Sequence, residues 1–552
     1  MTSDSLILPQ AIGVPFVAGL VLLVKGREMA PWLARAVAWV GFLVPALTAL
    51  CAWWIFSMHP AGTPIFEQSM TAATPTQLLW RTPEMLFPFE RDIGLGFLGL
   101  TLKLGLNGLS LPMFVLAGIV GLAAGIYAMN TSVDRPQAYW GLLLFIVSGA
   151  MGVFASLNLF YFYFFHEFAL IPTFILIGWW GGPGGRAAAM EMTIYLTLGA
   201  MLSLLGLLAL FFKSGAHSFD LVSMHAWTLP ATATVPSGHK IFGLLLFGFG
   251  ILVSLWPFHS WAPTGYAAAP TPAAMLHAGV LKKFGLYGLL QIAVPLLPGE
   301  MAGWSHLLAW LALGNVVVIG LVTLAQRDLK VMLGYSSVMH MGYIFLGIVC
   351  VSAMGAGGAV LLMFAHGLSV AALFLLSDAV FQRTRTYDFG AMGGLCKKAP
   401  VLSAFFVAAT FAGIGLPGFA NFWGEFGVFV ALWKFSPWMT AAAALGVVIS
   451  AIYGLRAVSR IFYGEPSPAF QTLFDQPVAD LRPGERWPAI ILLGALLLVG
   501  FWPGLLSRGI NESLPTAYQD LRPSGHYVLT LNFISETTAA PTPAAPPAAP
   551  KP

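Results

Sequence analysis

The stretch Asn158–Trp180 reads NLFYFYFFHEFALIPTFILIGWW, and it decides the class of fold to which this chain belongs. It is apolar and aromatic except for His166 and Glu167 near its centre, and a membrane-spanning helix needs about 20 such residues. An ionisable side chain at mid-bilayer costs about 2.5–3.5 kcal/mol on insertion scales, so it usually marks an ion path, a proton relay or a cofactor site. Glu167 is therefore the first candidate functional residue, and His166 is interpreted as a packing or interfacial residue.

Further ionisable side chains stand inside other apolar runs of the sequence, at Lys282, Lys283, His340, His366 and Glu425. Two adjacent lysines cannot easily both reach the membrane surface, so at least one is expected to contact an acidic group or internal water. Histidine titrates near neutral pH and can pass protons at low energetic cost. The alternative for each residue is structural: a hydrogen-bonded carboxyl group, snorkelling lysines or satisfied core histidines. Together they indicate a protein that moves charge across a membrane.

Composition agrees with a membrane protein. Of 552 residues, 58% are hydrophobic and only 9% are charged, whereas soluble domains have about 25% charged residues. Long apolar runs without alternation predict helices and exclude a β-barrel. The net charge of +4 is too small and too dispersed for nucleic-acid binding. Cys51, Cys350 and Cys396 are isolated, so no iron–sulfur or zinc site is expected within the chain.

The sequence predicts an all-α polytopic membrane protein with about 14 transmembrane helices. The first run is interpreted as a retained span, and residues 57–105 as a loop or surface segment. The predicted spans lie near residues 6–24, 32–56, 109–129, 138–156, 158–180, 190–212, 240–262, 272–296, 304–325, 329–352, 355–381, 400–430, 437–462 and 488–506.

Two predicted spans are interrupted in a similar way. Ser254–Pro272 contains four prolines, and Gly413–Phe426 reads GIGLPGFANFWGEF. Proline removes a backbone donor, so such breaks must face protein or a water-filled cavity. The breaks fall in spans 7 and 12, which suggests two inverted five-helix repeats, spans 4–8 and 9–13.

This arrangement predicts five regions along the chain. Residues 1–130 hold the N-terminal helices and an external loop, and residues 131–297 and 298–462 are the two repeats. Residues 463–507 hold a loop and the last helix. Residues 508–552 form an external tail whose Ala/Pro-rich end is expected to be disordered.

The loops give an orientation. Fifteen lysines and arginines fall in alternate loops on one side, against eight on the other. The positive-inside rule assigns the richer side to the cytoplasm, which places both termini outside.

At this point the motifs resemble the antiporter-like membrane subunits of complex I, NADH:quinone oxidoreductase, and within them the M type (chain M, subunit 4). The resemblance covers roughly residues 109–462, and RTRTYDFGAMGGL favours the M type over the L and N types. The matching motifs are FYFFHEFALIP, PFHSWAP, APTP, GVLKKFGLYG, QRDLKVMLGYSSVMHMGYIFLGI, AHGLSVAALFLL, RTRTYDFGAMGGL and GLPGFANFWGEF.

The resemblance implies a subunit that moves protons along a central hydrophilic axis. Glu167 matches the family glutamate of span 5, and Lys283 the lysine of span 8. His340 and His366 match the histidines of spans 10 and 11, and Glu425 matches the terminal glutamate of span 12.

It also implies what surrounds the chain. NADH or another donor, FMN, iron–sulfur clusters and quinone would belong to partner subunits, with no cofactor in this chain. The expected partners are L-, N- and K-type membrane subunits, lipids and protons. The expected location is the bacterial inner membrane.

One departure from the family pattern concerns span 7. The family usually has lysine in a pattern K-x-P-x-x-P-x-H, but here Leu252 occupies the lysine position and Ser254 the first proline position. Lys282 is extra relative to the pattern, so it is the candidate replacement for the missing cation. The alternatives are a Mrp-type cation/proton antiporter subunit, the membrane subunit of an energy-converting hydrogenase and a non-pumping spacer. A haem carrier using His340 and His366 is a further alternative.

Overall fold

The fold is a bundle of membrane-crossing helices, as the sequence predicted. The computed structural model describes residues 6–58, 86–92, 100–214, 218–221, 224, 237–468, 470–471 and 478–514. Within these residues, eleven helices are long and apolar enough to cross a membrane. Predicted spans 240–262, 272–296 and 400–430 coincide with helices divided into shorter pieces, so the number fourteen stays a prediction.

Among the described residues, the first half of the chain has eleven α-helices, two strands and two π-helical segments. In chain order they are α1 Ile7–Lys25, α2 Pro31–Met58, β1 Leu86–Arg91, β2 Leu102–Leu106, α3 Ser110–Asn130, α4 Pro136–Ala155, α5 Leu159–Trp180, α6 Gly185–Ser214, α7 Gly238–Val253, α8 Trp261–Ala268, α9 Thr271–Leu276, π1 His277–Leu281, α10 Lys283–Gly288, π2 Leu289–Ala293 and α11 Val294–Leu296.

In the described part of the second half, nine α-helices and one more π-helical segment follow. They are α12 Pro298–Leu313, π3 Gly314–Ile319, α13 Gly320–Ala325, α14 Leu329–Val349, α15 Ala353–Thr384, α16 Pro400–Ile414, α17 Ala420–Phe435, α18 Pro437–Phe462, α19 Pro483–Phe501 and α20 Gly504–Ser513. The most buried long helix is α15, which therefore forms the centre of the bundle.

The two predicted breaks are both present and resemble each other. Helix α7 ends before Ser254, at φ +68°, and α16 ends before Gly415, at φ +84°. The Asn315 side chain forms hydrogen bonds with backbone groups at the first break. Its Nδ2 donates to the carbonyls of Ser254 and Val338, both at 3.0 Å, and its Oδ1 accepts from the Trp256 N–H at 2.7 Å. Buried backbone groups therefore find protein partners where the helix stops.

The prediction of a loop or surface segment for residues 57–105 missed two strands at its C-terminal end. Strands β1 and β2 form an antiparallel pair in which Glu90 faces Lys103. The sequence of β2, LKLGL, alternates with the period of a strand, and this signal was overlooked. Burial disfavours the Lys103 ammonium, but Asp220 at 2.8 Å and Glu90 at 3.2 Å outweigh it, so the pKa of Lys103 is raised.

A buried ion pair joins the ends of α15 and α19. Arg383 donates to both carboxylate oxygens of Glu485, at 3.1 and 2.7 Å, and both side chains are buried. Arg383 also donates to the carbonyls of Ala379, Ala479 and Asp480. Arg383, one of the fifteen basic residues counted on the richer side, therefore lies buried at the end of α15. The Ala/Pro tail and residues 59–85 lie outside the described residues.

Candidate functional site

The two adjacent lysines lie at the centre of the bundle, where the helix changes its winding. Lys282 follows π1, and its N–H bonds to the His277 carbonyl at 3.0 Å. Single π-helical turns inside α-helices are frequent at functional sites. Lys282 and Lys283 are both 0% exposed, which excludes the snorkelling alternative.

Neither lysine contacts a carboxylate among the described residues, so the acidic group is not found there, and the alternative partner, internal water, stays a prediction. Lys283 Nζ instead donates to the Ala278 carbonyl at 2.7 Å and lies 3.0 Å from His366 Nδ1. Lys282 Nζ donates to Ser337 Oγ at 3.3 Å and lies over the Tyr266 ring. Lys283 is thus the lysine whose ammonium lies within hydrogen-bonding distance of a titratable side chain.

A pair of glycines allows the Lys283–His366 contact. A Cβ on Gly279 would lie 3.0 Å from the Gly367 carbonyl oxygen, and one on Gly367 would lie 2.6 Å from the Gly279 carbonyl oxygen. Small residues let membrane helices approach closely. The segment π1 therefore packs directly against α15, beside His366.

The contact between Lys283 and His366 continues to His340 and the second break. We call Lys283, His366, His340 and Glu425 the central line. The two imidazole rings are 5.6 Å apart between centroids. His340 Nδ1 lies 2.8 Å from the Ser336 carbonyl oxygen, and Nε2 lies 2.9 Å from the Gly413 carbonyl oxygen. Both partners are acceptors only, so a protonated His340 makes both hydrogen bonds and a neutral one makes a single bond. The charge of His340 is therefore coupled to the backbone of the broken helix.

Glu425 lies across the second break from His340. It is buried on α17, and a Cβ on Gly415 would collide with its carboxylate. A cavity of about 20 Å³ lies beside Gly413 and is lined in part by Ser336, Thr410 and Tyr453. That volume is enough for about one water molecule, which can extend the central line.

Glu167 stands apart from this central line and is half-buried. Its Oε1 lies 3.3 Å from Nδ1 of His166, and its side chain is 35% exposed. His166 itself is buried and contacts the edge of Phe284, the residue next to Lys283. The interpretation of His166 as a packing residue overlooked this polar contact. No ion pair joins Glu167 to Lys282 in the described part of the chain.

Two groups of polar residues were missed by the sequence reasoning. Glu191 on α6 accepts from Ser260 Oγ at 2.9 Å and from Thr264 Oγ1 at 3.0 Å, beside the first break. Asp378 on α15 accepts from the hydroxyls of Tyr127 and Tyr387. Both acids lie inside apolar helices, and that signal in the sequence could have found them.

The fold and this line of buried ionisable residues define an antiporter-like membrane subunit, and comparison with known proteins agrees. Residues 156–452 match the family described as NADH:quinone oxidoreductase/Mrp antiporter, TM. The NADH-quinone oxidoreductase subunit M of Rickettsia conorii is 33% identical over 434 residues, covering 78% of this chain and 85% of that protein. The NAD(P)H-quinone oxidoreductase chain 4 1 of Synechococcus sp. (strain JA-2-3B'a(2-13)) is 32% identical, covering 78% and 82%.

Solved structures show the same fold. A chain of respiratory complex I from Thermus thermophilus has a TM-score of 0.79 at 28% identity, with 94% of this chain and 100% of that chain covered. A chain of the Mrp complex from Dietzia sp. DQ12-45-1b has a TM-score of 0.77 at 18% identity, covering 94% and 98%. The protein belongs to the NADH:quinone oxidoreductase/Mrp antiporter family, and within it to the M-type, or chain 4, subunits of complex I.

Proposed function

We propose that this chain is a proton-translocating subunit in the membrane arm of complex I. The observation that carries the proposal is the contact sequence Lys283–His366–His340, which ends at a broken helix beside Glu425. Electron transfer from NADH or another donor, FMN, the iron–sulfur clusters and quinone would belong to partner subunits. The L-, N- and K-type subunits are the expected neighbours, in a bacterial inner membrane with both termini outside.

Proton movement along this line follows from the hydrogen-bonding capacity of each group. The Lys283 ammonium donates toward His366 Nδ1, so His366 can accept a proton there and release another from Nε2. When the proton reaches His340, that ring gains its second hydrogen bond and holds the Gly413 carbonyl. Release toward Glu425 breaks one of those bonds. Transfer is thereby tied to a local change at the second break.

Such a line must be gated. One proton moved against 100 mV costs about 2.3 kcal/mol, so an open path would dissipate the gradient. The His340–Gly413 contact supplies a gate that depends on charge, and coupling to quinone reduction would act on it through neighbouring subunits.

The alternatives receive less support. The relatives that are about one-third identical carry quinone oxidoreductase names, whereas the Mrp chain is only 18% identical and shows the fold alone. Both ring nitrogens of His340 face backbone carbonyls, which leaves neither for haem iron. Lower proton uptake in the variants of the next two paragraphs would exclude the non-pumping spacer.

The substitution Glu425→Gln tests the terminal group of the line. Glutamine keeps the size of the side chain but cannot release and rebind a proton near neutral pH, so proton uptake per electron should fall while the complex still assembles. Uptake is measured with a pH-sensitive dye in liposomes holding the intact complex. Glu465→Gln, at an exposed position outside the line, is the matched control. Unchanged uptake in the Glu425→Gln complex would contradict the assignment.

The side chain that partners Glu167 is tested separately. The structure favours His166 over Lys282, because His166 Nδ1 lies 3.3 Å from Glu167 Oε1 and no ion pair joins Glu167 to Lys282 among the described residues. We therefore expect His166→Phe to lower proton uptake in the same liposomes, and an added Leu252→Lys to restore it. Leu252 is buried at the position where the family usually has lysine. A loss in Lys282→Met that Leu252→Lys rescues would instead assign the role to Lys282.

A further inference from the structure

A groove on the outer surface of the bundle runs between α1, α4 and α5. It has a volume of about 510 Å³, and Leu142, Phe145 and Ile175 are among the side chains that make its walls apolar. Arg27 and Arg135 lie at one end. The volume falls in the usual range for small-molecule sites, about 300–1,000 Å³.

At the charged end of the groove, aromatic residues hold the segment that carries Arg135. The Arg135 guanidinium lies 5.1 Å from the centroid of the Trp179 ring, and Trp180 Nε1 donates to the Asp134 carbonyl at 2.7 Å. Tryptophan side chains concentrate where membrane hydrocarbon meets the headgroups. Arg27 forms no ion pair in the described part of the chain. Arg135 Nε lies 3.8 Å from Asp134 Oδ2, and both of these side chains are exposed. Both guanidinium groups are therefore open to an anion.

The length of the groove fits a lipid chain better than a transmembrane helix of a partner. Along α5 the lining runs from Phe168 to Trp180, which is about 18 Å at 1.5 Å per residue. The hydrocarbon core of a bilayer is about 30 Å thick, so the groove reaches about one leaflet deep. A partner's transmembrane helix would need the whole thickness, whereas a lipid chain needs only half.

We propose that this groove binds one anionic phospholipid, with its phosphate on Arg27 and Arg135 and an acyl chain along Leu142, Phe145 and Ile175. Arginine matches phosphate geometry with paired donors, and basic pockets between transmembrane helices bind anionic headgroups. The site does not depend on whether the chain moves protons.

Photo-crosslinking in liposomes holding the assembled complex tests the site. The probes are phosphatidylglycerol and phosphatidylcholine with the same photoactivatable acyl chain, each diluted in unlabelled phosphatidylcholine. We expect phosphatidylglycerol to label peptides of α4 and α5 at the groove in preference to phosphatidylcholine. In Arg27→Gln/Arg135→Gln that preference should fall about 30-fold, or about 2 kcal/mol at about 1 kcal/mol per arginine.

Two further variants complete the test. Arg186→Gln changes an exposed arginine outside the groove and should leave labelling unchanged. Ala138→Phe fills the groove without altering charge and should reduce labelling by both probes. If the double arginine variant fails to assemble, competition of wild type with unlabelled phosphatidylglycerol or phosphatidylcholine replaces it. Equal labelling by both probes, or an unlabelled groove, would overturn the proposal, and the latter would mean that a protein covers it.

Discussion

Replacement of Lys283 by methionine is expected to abolish the proton transport carried by this chain while leaving the complex assembled. Methionine fills a similar volume, but it cannot hold a proton between the Ala278 carbonyl and His366 Nδ1. Loss of a positioned proton-transfer group typically costs about 10²–10⁴-fold in rate. At that rate, uptake through this chain becomes negligible on the timescale of turnover.

The measurement is the number of protons taken up per electron transferred, in liposomes holding the intact complex. Lys434→Met is the matched control, because Lys434 is exposed at the end of α17. Wild-type stoichiometry in the Lys283→Met complex would remove Lys283 from the path.

Lys283→Arg separates proton transfer from simple charge. Arginine keeps the positive charge but does not lose its proton in proteins. If Lys283 passes protons, the arginine variant should fail like the methionine variant. Recovery of uptake with arginine would show that Lys283 acts only as a fixed charge.

Replacement of Arg383 by leucine is expected to destabilise the protein strongly. It would leave the Glu485 carboxylate buried without its partner, and breaking a buried ion pair costs about 3–5 kcal/mol. Three backbone carbonyls would also lose the donors that Arg383 supplies. The expected result is less assembled complex and a lower unfolding temperature of the purified complex.

Arg327→Leu is the control, because Arg327 is an exposed arginine on the same basic side. The double variant Arg383→Leu/Glu485→Leu should recover part of the loss, since no charge is then left buried alone. If Arg383→Leu were as stable as Arg327→Leu, the pair would have no structural importance.

The sequence alone predicted the fold class and most members of the central line. Apolar runs and the low charge identified a helical membrane protein, because lipid leaves backbone groups no other partners. Lys283, His340, His366 and Glu425 stood out for the same reason, since charge inside a span is costly. Prolines and glycines located both breaks, which the structure places after Val253 and Ile414.

The partners of these side chains were decided only by tertiary structure. A charge within a span implies that some partner exists, but not which helix supplies it. Thus the sequence predicted an acidic group or internal water for at least one of the two lysines, and Lys283 contacts His366 on α15. His166, interpreted as a packing or interfacial residue, contacts Glu167. The His340–Gly413 bond joins residues 73 positions apart, and the Arg383–Glu485 pair joins residues 102 apart.

Local sequence therefore determined where charges enter the membrane, because transfer into lipid is a property of each segment. The packing of distant helices determined which charges touch, because buried groups satisfy one another across the bundle and no spacing in the sequence encodes that choice. The central line proposed for this protein depends on the local sequence of each span and on the packing of distant helices.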